Sequence, residues 1–141
     1  MIKIAESDRE IDACFETMSE LRPHLVREAF VPLVRGMLSE GYRMAYIEDK
    51  GVVVAVAGYR ILTSFHLGRH MYVNDLVTST RVRSAGFGTE LIQWLRSEAK
   101  RSGCGYLDLD SGTHRGRAHK FYFTHGFTIS SYHFSQQLVD S

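Results

Sequence analysis

Arg83-Ser84-Ala85-Gly86-Phe87-Gly88-Thr89 is the stretch whose residue types and spacing point most directly to chemistry. Its two glycines carry no Cβ and reach positive φ, so the backbone can approach a ligand closely. If a helix begins here, its unpaired N–H groups and the positive end of its dipole face the same place. Arg81 and Arg83 stand at the mouth with fork-shaped donors suited to a diphosphate. The stretch reads as an anion cradle. A strand-to-helix turn whose glycines only permit tight packing accounts for the same residues, and the turn alone does not separate the two. A dinucleotide fingerprint is excluded, because Leu91 stands where it needs glycine or alanine. A triphosphate loop is excluded because Gly88-Thr89-Glu90 lacks its lysine.

Other reactive side chains offer less. Seven histidines invite a metal reading, but His114, His119 and His125 lack the i, i+4 ligand pair and the cysteines lie elsewhere, so no metal is expected. Cys14 and Cys104 form neither a disulfide framework nor a nucleophile with a histidine context, and free cysteines fit a reducing compartment. Lys plus Arg number 17 against 16 Asp plus Glu, so the net charge of +1 argues against a nucleic-acid partner. Lys3, Glu6 and Asp8 occupy the place of a signal peptide's apolar run, and no stretch approaches the ~18 apolar residues of a membrane span. A cytoplasmic protein with no membrane partner is expected. At 141 residues the chain reads as a single domain, 1–141.

The elements that must position the turn follow from periodicity. Residues 1–5 alternate as a strand, and Ser7 with Glu10 forms a capping box opening a helix over residues 8–21. Pro23 breaks it, and a second helix runs from about Leu25 to a Gly41 cap, with Pro32 expected to kink it or divide it after Val31. Residues 42–48 and 52–62 are hairpin arms around Asp49-Lys50-Gly51, the second central in the sheet. Residues 63–69 read as a polar loop holding Phe65 and His66. The strand Met71 to Thr78 leads into the turn, and Leu91, Ile92, Leu95 and Ala99 mark a helix ended by Gly103. Residues 106–110 return as a strand parallel to the first through a right-handed crossover. Ala118, Phe121, Tyr122 and His125 share one helical face before Gly126, and residues 127–138 alternate as one or two terminal strands.

Arg83-x-x-Gly86-x-Gly88, preceded by Val73-Asn74-Asp75-Leu76-Val77 and followed by Ala118-x-x-Phe121-Tyr122-x-x-x-Gly126-Phe127, resembles the GNAT superfamily of N-acetyltransferases. The motifs cover about residues 72–127, and the element order of the whole chain is also the family's. The implied fold is α/β: a mixed sheet of six to seven strands, antiparallel in its N-terminal half, with a splayed parallel pair at the centre and about four flanking helices.

The resemblance implies an acetyl-CoA site and an N-acetyltransferase acting by direct transfer in a ternary complex. Leu76, Val77 and Thr78 would pair with the pantetheine arm as an added strand. Arg83, Ser84, Ala85, Gly86, Phe87, Gly88 and Thr89 would hold the pyrophosphate. Tyr122 stands at the family's general acid, a phenol protonated at neutral pH that would protonate the leaving thiolate. By spacing alone, with Ala118 and Phe121 on the same face, Tyr122 reads first as a core aromatic. Asp75 is a candidate base or a structural partner for backbone N–H groups. Asn74 takes the place where some members carry a glutamate, and its amide cannot accept a proton, which leaves Asp75 through a water, a loop histidine such as His66, or an amine that arrives deprotonated. Thr113-His114-Arg115-Gly116-Arg117, with Arg115 where an asparagine often stands, either covers the coenzyme's phosphates or is a solvated loop. The acceptor would be an amine of a small molecule or peptide, chosen by residues 63–69 and the second helix, and dimerisation is common in the family. A coenzyme-binding module without turnover is the contrasting reading.

Overall fold

The computed structural model describes residues 1–83 and 85–140. They form two compact units, Met1–Leu109 and a smaller one beginning at Asp110. The first unit is built on one sheet in the order β1 (Ile2–Ile4), β2 (Arg43–Asp49), β3 (Val52–Ser64), β4 (Gly68–Thr78) and β5 (Tyr106–Leu109). The first four strands pair antiparallel, and β4 pairs with β5 in parallel. β3 is central, as its β-branched and small residues predict. The β2–β3 hairpin closes through Lys50 and Gly51 at φ 53° and 80°, the mirror-type turn whose twist matches its strands.

Helices α1 (Asp8–Ala13), α2 (Phe15–Leu21) and α3 (Arg27–Ser39) cover one face, where Ile11, Cys14, Met18, Phe30 and Val34 meet Met44, Tyr46, Val56 and Val77. The other face receives α4 (Phe87–Arg101), which buries Leu91, Ile92 and Leu95 completely against β3 and β4. The start of α1 and the ends of α3 and α4 follow the sequence signals. Glu10 N–H donates to Ser7 Oγ and Ser7 N–H to Glu10 Oε1, closing the capping box. The backbone N–H groups of Ser7 and Glu6, with the Tyr46 hydroxyl, hold the Glu10 carboxyl well below the usual range, at about 2. α3 and α4 end alike. Tyr42 N–H reaches back to Met37 O and Cys104 N–H to Ala99 O, around Gly41 and Gly103 at φ 97° and 78°.

Three expectations are corrected and one is narrowed. The first helix divides at Cys14, whose N–H bonds Ile11 O, three residues back, tightening the chain so that Ile11, Cys14 and Met18 all reach the core. Of the two outcomes expected at Pro32, division does not occur: α3 runs unbroken from Arg27 to Ser39. Pro32 lies just past the first turn and forfeits one bond, while the buried Phe30 and Val34 on either side hold the helix to the sheet. Residues 63–69 are not a loop: β3 runs through Ser64 and β4 starts at Gly68, and Ser64 Oγ accepts Leu67 N–H inside a tight turn. The count of six to seven strands becomes five, because no strand forms at residues 127–138 among the described residues. There the alternation slips phase at Ser130-Ser131 and gives way to Ser135-Gln136-Gln137, and residues 128–140 are exposed throughout.

In the second unit, α5 (Gly116–Thr124) ends in the same motif as α3 and α4. Phe127 N–H bonds Tyr122 O around Gly126 at φ 86°.

Candidate active site

The strand β4 carries the geometry that matters. Its parallel pairing with β5 runs from His70↔Tyr106 to Val73↔Leu109 and stops there, while β4 continues to Thr78 against β3 alone. From residue 74 onward the edge of β4 on the β5 side therefore has no strand partner among the described residues. Leu76, Val77 and Thr78 lie on this open stretch, Val77 with its side chain buried on the α1–α3 face. An open edge of this kind can accept an extended, amide-rich chain by strand addition.

A β-bulge sits where the edge opens. Tyr59 pairs with Val73 and Gly58 with Asp75, which leaves Asn74 as an extra residue on β4. The insertion reverses the alternation of side chains. Val73 lies on the α4 side with Tyr59, whereas Asp75 comes out on the α1–α3 face with Gly58 and Val77. Asn74 Oδ1 is a buried atom with no hydrogen-bond partner among the described residues.

On that face Asp75 is fully engaged. Arg22, at the end of α2, donates from Nε to Asp75 Oδ1 at 3.0 Å and from Nη2 to Asn74 O at 3.0 Å. Nη2 also stands 3.0 Å from Asp75 Oδ1, and the Asp75 side chain is only 12% exposed. Tyr42 Oη donates to Asp75 Oδ2 at 2.9 Å. Burial first, and the Asp75 carboxylate second, push the Tyr42 phenol far above its ordinary value, so it stays a donor. Gly58 makes the arrangement possible: a Cβ there would stand 1.7 Å from Tyr42 Oη. Sequence reasoning singled out Asp75 but missed Arg22, Tyr42 and Gly58. The glycine inside a β-branched run was the one available signal, since such a glycine marks a bulge or a close approach.

The glycine turn is built from backbone. Gly86 is the N-cap of α4 at φ 89° and ψ 3°, in the left-handed region, and brings no side chain to the helix end. The first intrahelical bond is Glu90 N–H to Gly86 O at 3.0 Å, so Phe87, Gly88 and Thr89 form the opening turn. A Cβ on Gly86 would meet nothing within 4 Å. Conformation, then, and not close packing, requires glycine at this position, which removes the packing explanation for Gly86. Arg83 and Ala85 are exposed beside it, and Ala85 N–H bonds Val82 O. Ser84 lies outside the described residues.

The remaining candidates are placed as follows. His66 occupies the tight β3–β4 turn, separated from Asp75 by the length of β4 from Gly68, roughly 23 Å at strand rise. It is no base for chemistry at the bulge. Cys14 is buried, and burial pushes its thiol up to about 12, so it is no nucleophile. In the second unit, Tyr122 is partly buried on α5, edge to face with Phe121 and Phe127 at 5.6 and 5.7 Å. Burial pushes its phenol up and the Arg115 charge opposes this, so Tyr122 is protonated at neutral pH. Arg115 is the N-cap of α5 and half-buried, and His119 Nε2 lies 2.8 Å from Gly112 O. A cavity of about 510 Å³ on the α4 face, bordered by Arg43, Tyr59, Trp94 and Glu98, contains none of the predicted residues. Among the described residues no group of three His, Cys, Asp or Glu could hold a metal ion, and no helix is long and apolar enough to cross a membrane.

The chain is similar to known proteins in sequence and fold. An uncharacterized N-acetyltransferase of Bacillus subtilis (strain 168), YhdJ, is 33% identical over 135 residues, 94% of this chain and 95% of the relative. The aminoalkylphosphonate N-acetyltransferase of Salmonella typhimurium (strain LT2) is 26% identical over 84 residues, 55% of this chain and 54% of the relative. In fold alone, aminoglycoside N-acetyltransferase AAC(6')-Iy, solved in complex with CoA, is similar with a TM-score of 0.81 at 14% identity, covering 99% of this chain and 96% of that one. The sequence profile of the acetyltransferase (GNAT) family matches residues 9–127, a span that takes in the bulge, the glycine turn and the Tyr122 helix. With the family profile and a near full-length N-acetyltransferase relative in agreement, the chain belongs to the GNAT family of acetyltransferases.

Proposed function

We propose that this chain transfers acetyl from acetyl-CoA to a primary amine of a small molecule or peptide, by direct transfer in a ternary complex. The parting of β4 from β5 after Val73 carries the reading, because it leaves a strand edge open beside a helix start capped by a left-handed glycine. Acetyl-CoA supplies an activated thioester. The open edge at Leu76, Val77 and Thr78 would take the amides of its pantetheine arm. The backbone around Gly86, with Arg83, would take its pyrophosphate. The amine nitrogen forms a bond to the acetyl carbon, the carbon–sulfur bond breaks, and the thiolate takes the proton of the Tyr122 hydroxyl. The proton released by the amine passes to water, since Asp75 is committed to Arg22 and Tyr42, and water returns a proton to the Tyr122 phenolate. Asp75 thereby acts as an anchor and not as a base.

Isothermal titration with acetyl-CoA tests the donor site, and no heat at millimolar concentration overturns the proposal. Tyr122→Phe is expected to lower turnover by about 10- to 100-fold, within the range of general-acid contributions, with acetyl-CoA affinity nearly unchanged. Unchanged turnover would return Tyr122 to a packing function. The commitment of Asp75 and the amide at Asn74 favour a second reading, a module that binds acyl-CoA without turnover. Persistent acetyl-CoA binding with no thiol release across a broad panel of amines and peptides would select it. Size measurement by light scattering tests the homodimer that the family suggests.

A further inference from the structure

The acceptor class is open in the reading above, and the bulge offers a side chain to decide it. Arg22 ends α2, and the turn it starts is held by Leu25 N–H on Arg22 O at 3.1 Å, with Pro23 restricting the backbone between them. Its guanidinium is oriented through two of its three nitrogens, Nε on Asp75 and Nη2 on Asp75 and Asn74 O. The third, Nη1, has no partner among the described residues, and the side chain is 43% exposed. A surface arginine ordinarily loses rotamer freedom when it binds an anion; here much of that ordering is already complete. The guanidinium is held at Asn74 through Nη2, at the residue where β4 and β5 have just parted.

The carboxylates of α1 and α2 have partners. Asp8 pairs with Arg35, Asp12 and Glu16 pair with Arg27, Glu10 serves the α1 cap, and Glu20 accepts Thr80 N–H. Asp75 has both oxygens engaged. Beside these engaged carboxylates, Arg22 offers a directed N–H donor. Resting on the acetyltransferase reading, we infer that the acceptor is a small amine that also carries an anionic group, a phosphonate, phosphate or carboxylate, and that Arg22 Nη1 binds this group. Asp75 neutralises the arginine's charge, so recognition is by hydrogen-bond direction more than by field.

The test uses the full chain and three amines of matched length: 2-aminoethylphosphonate, 3-aminopropanoate and n-propylamine. Coenzyme release should proceed with kcat/KM about 10- to 100-fold higher for one or both anionic amines than for propylamine, as expected for a hydrogen bond to a charged group. The two anionic arms distinguish a phosphonate from a carboxylate preference. In Arg22→Gln the ratio should fall to near one. Arg22→Lys should recover little of it, because an ammonium lacks the fork that Asp75 and Asn74 O orient. Acetyl-CoA affinity, read by titration, shows that each variant retains its donor site. Equal kcat/KM for charged and neutral amines in the unmodified protein overturns the inference, as does a preference that survives Arg22→Gln. If no amine is turned over, titration of 2-aminoethylphosphonate and 3-aminopropanoate into the CoA-loaded protein decides. Binding of either that is lost in Arg22→Gln supports Arg22 while sinking the transferase reading, and absence of binding by both overturns the inference itself.

Discussion

The glycine turn before α4 and the Asp75 cluster lie at the two ends of one short stretch of chain, and they are built in opposite ways. The turn is made of backbone: Gly86 contributes a left-handed conformation, open space where a Cβ would be, and no side-chain cap. The cluster is made of side chains that arrive from afar. Arg22 and Tyr42 reach Asp75 across 53 and 33 residues, and Gly58 is there because Tyr42 occupies the volume its side chain would need. A site made of backbone is written locally and tolerates exposure. A site made of tertiary contacts depends on the core that holds it.

Substitutions should separate the two. Gly58→Ala places a carbon 1.7 Å from the oxygen of a buried, hydrogen-bonded tyrosine that cannot swing aside. A loss of about 3 kcal/mol in denaturant unfolding is expected, the upper part of the usual overpacking range. A loss below about 0.5 kcal/mol would mean the cluster is soft. Tyr42→Phe removes only the bond to Asp75 and should cost about 1.5 kcal/mol. Gly86→Ala should cost about 1 kcal/mol, from backbone conformation alone, while weakening acetyl-CoA binding by titration. Equal stability losses for the alanines at positions 58 and 86 would erase the contrast.

The smallest effect concerns pH. Glu10 has its folded pKa depressed to about 2 from 4.5, so the stability it contributes is present above about pH 4.5 and disappears as pH falls toward 2. The difference in melting temperature between the parent protein and Glu10→Gln should therefore shrink over that window. A constant difference would show that the cap bonds persist without the charge.

The same contrast explains which parts of the molecule could be read in advance. The capping box at Ser7, the Lys50-Gly51 hairpin turn, and the glycines that end α3, α4 and α5 all lie within a few residues of what they control, and each stands where its spacing predicts. The turn at residues 83–89 was visible for the same reason. Arg22 was not, because nothing near Pro23 announces a partner on β4. Pro32 was visible but left two outcomes open. A local rule allowed a kink or a division, and with Phe30 and Val34 buried the helix is not divided. At residues 127–138 an apolar rhythm suggested strands, but a strand also needs a neighbouring ladder, and that cannot be inferred from rhythm alone.

The extra residue at Asn74 has a consequence for how this strand can vary. Side chains on β4 obey an odd–even rule, and Asn74 changes the parity partway along, so that 71 and 73 belong to one face and 75 and 77 to the other. Drawing Asn74 into the ladder as an ordinary paired residue would restore a single parity. Asp75 and Val77 would then turn toward α4, and Leu76 toward the helices on the opposite face, while Arg22 and Tyr42 would be left pointing at nothing. Taking Asn74 out of the chain would instead leave Asp75 and Val77 on their present face and remove the bulge together with the carbonyl that Arg22 Nη2 binds.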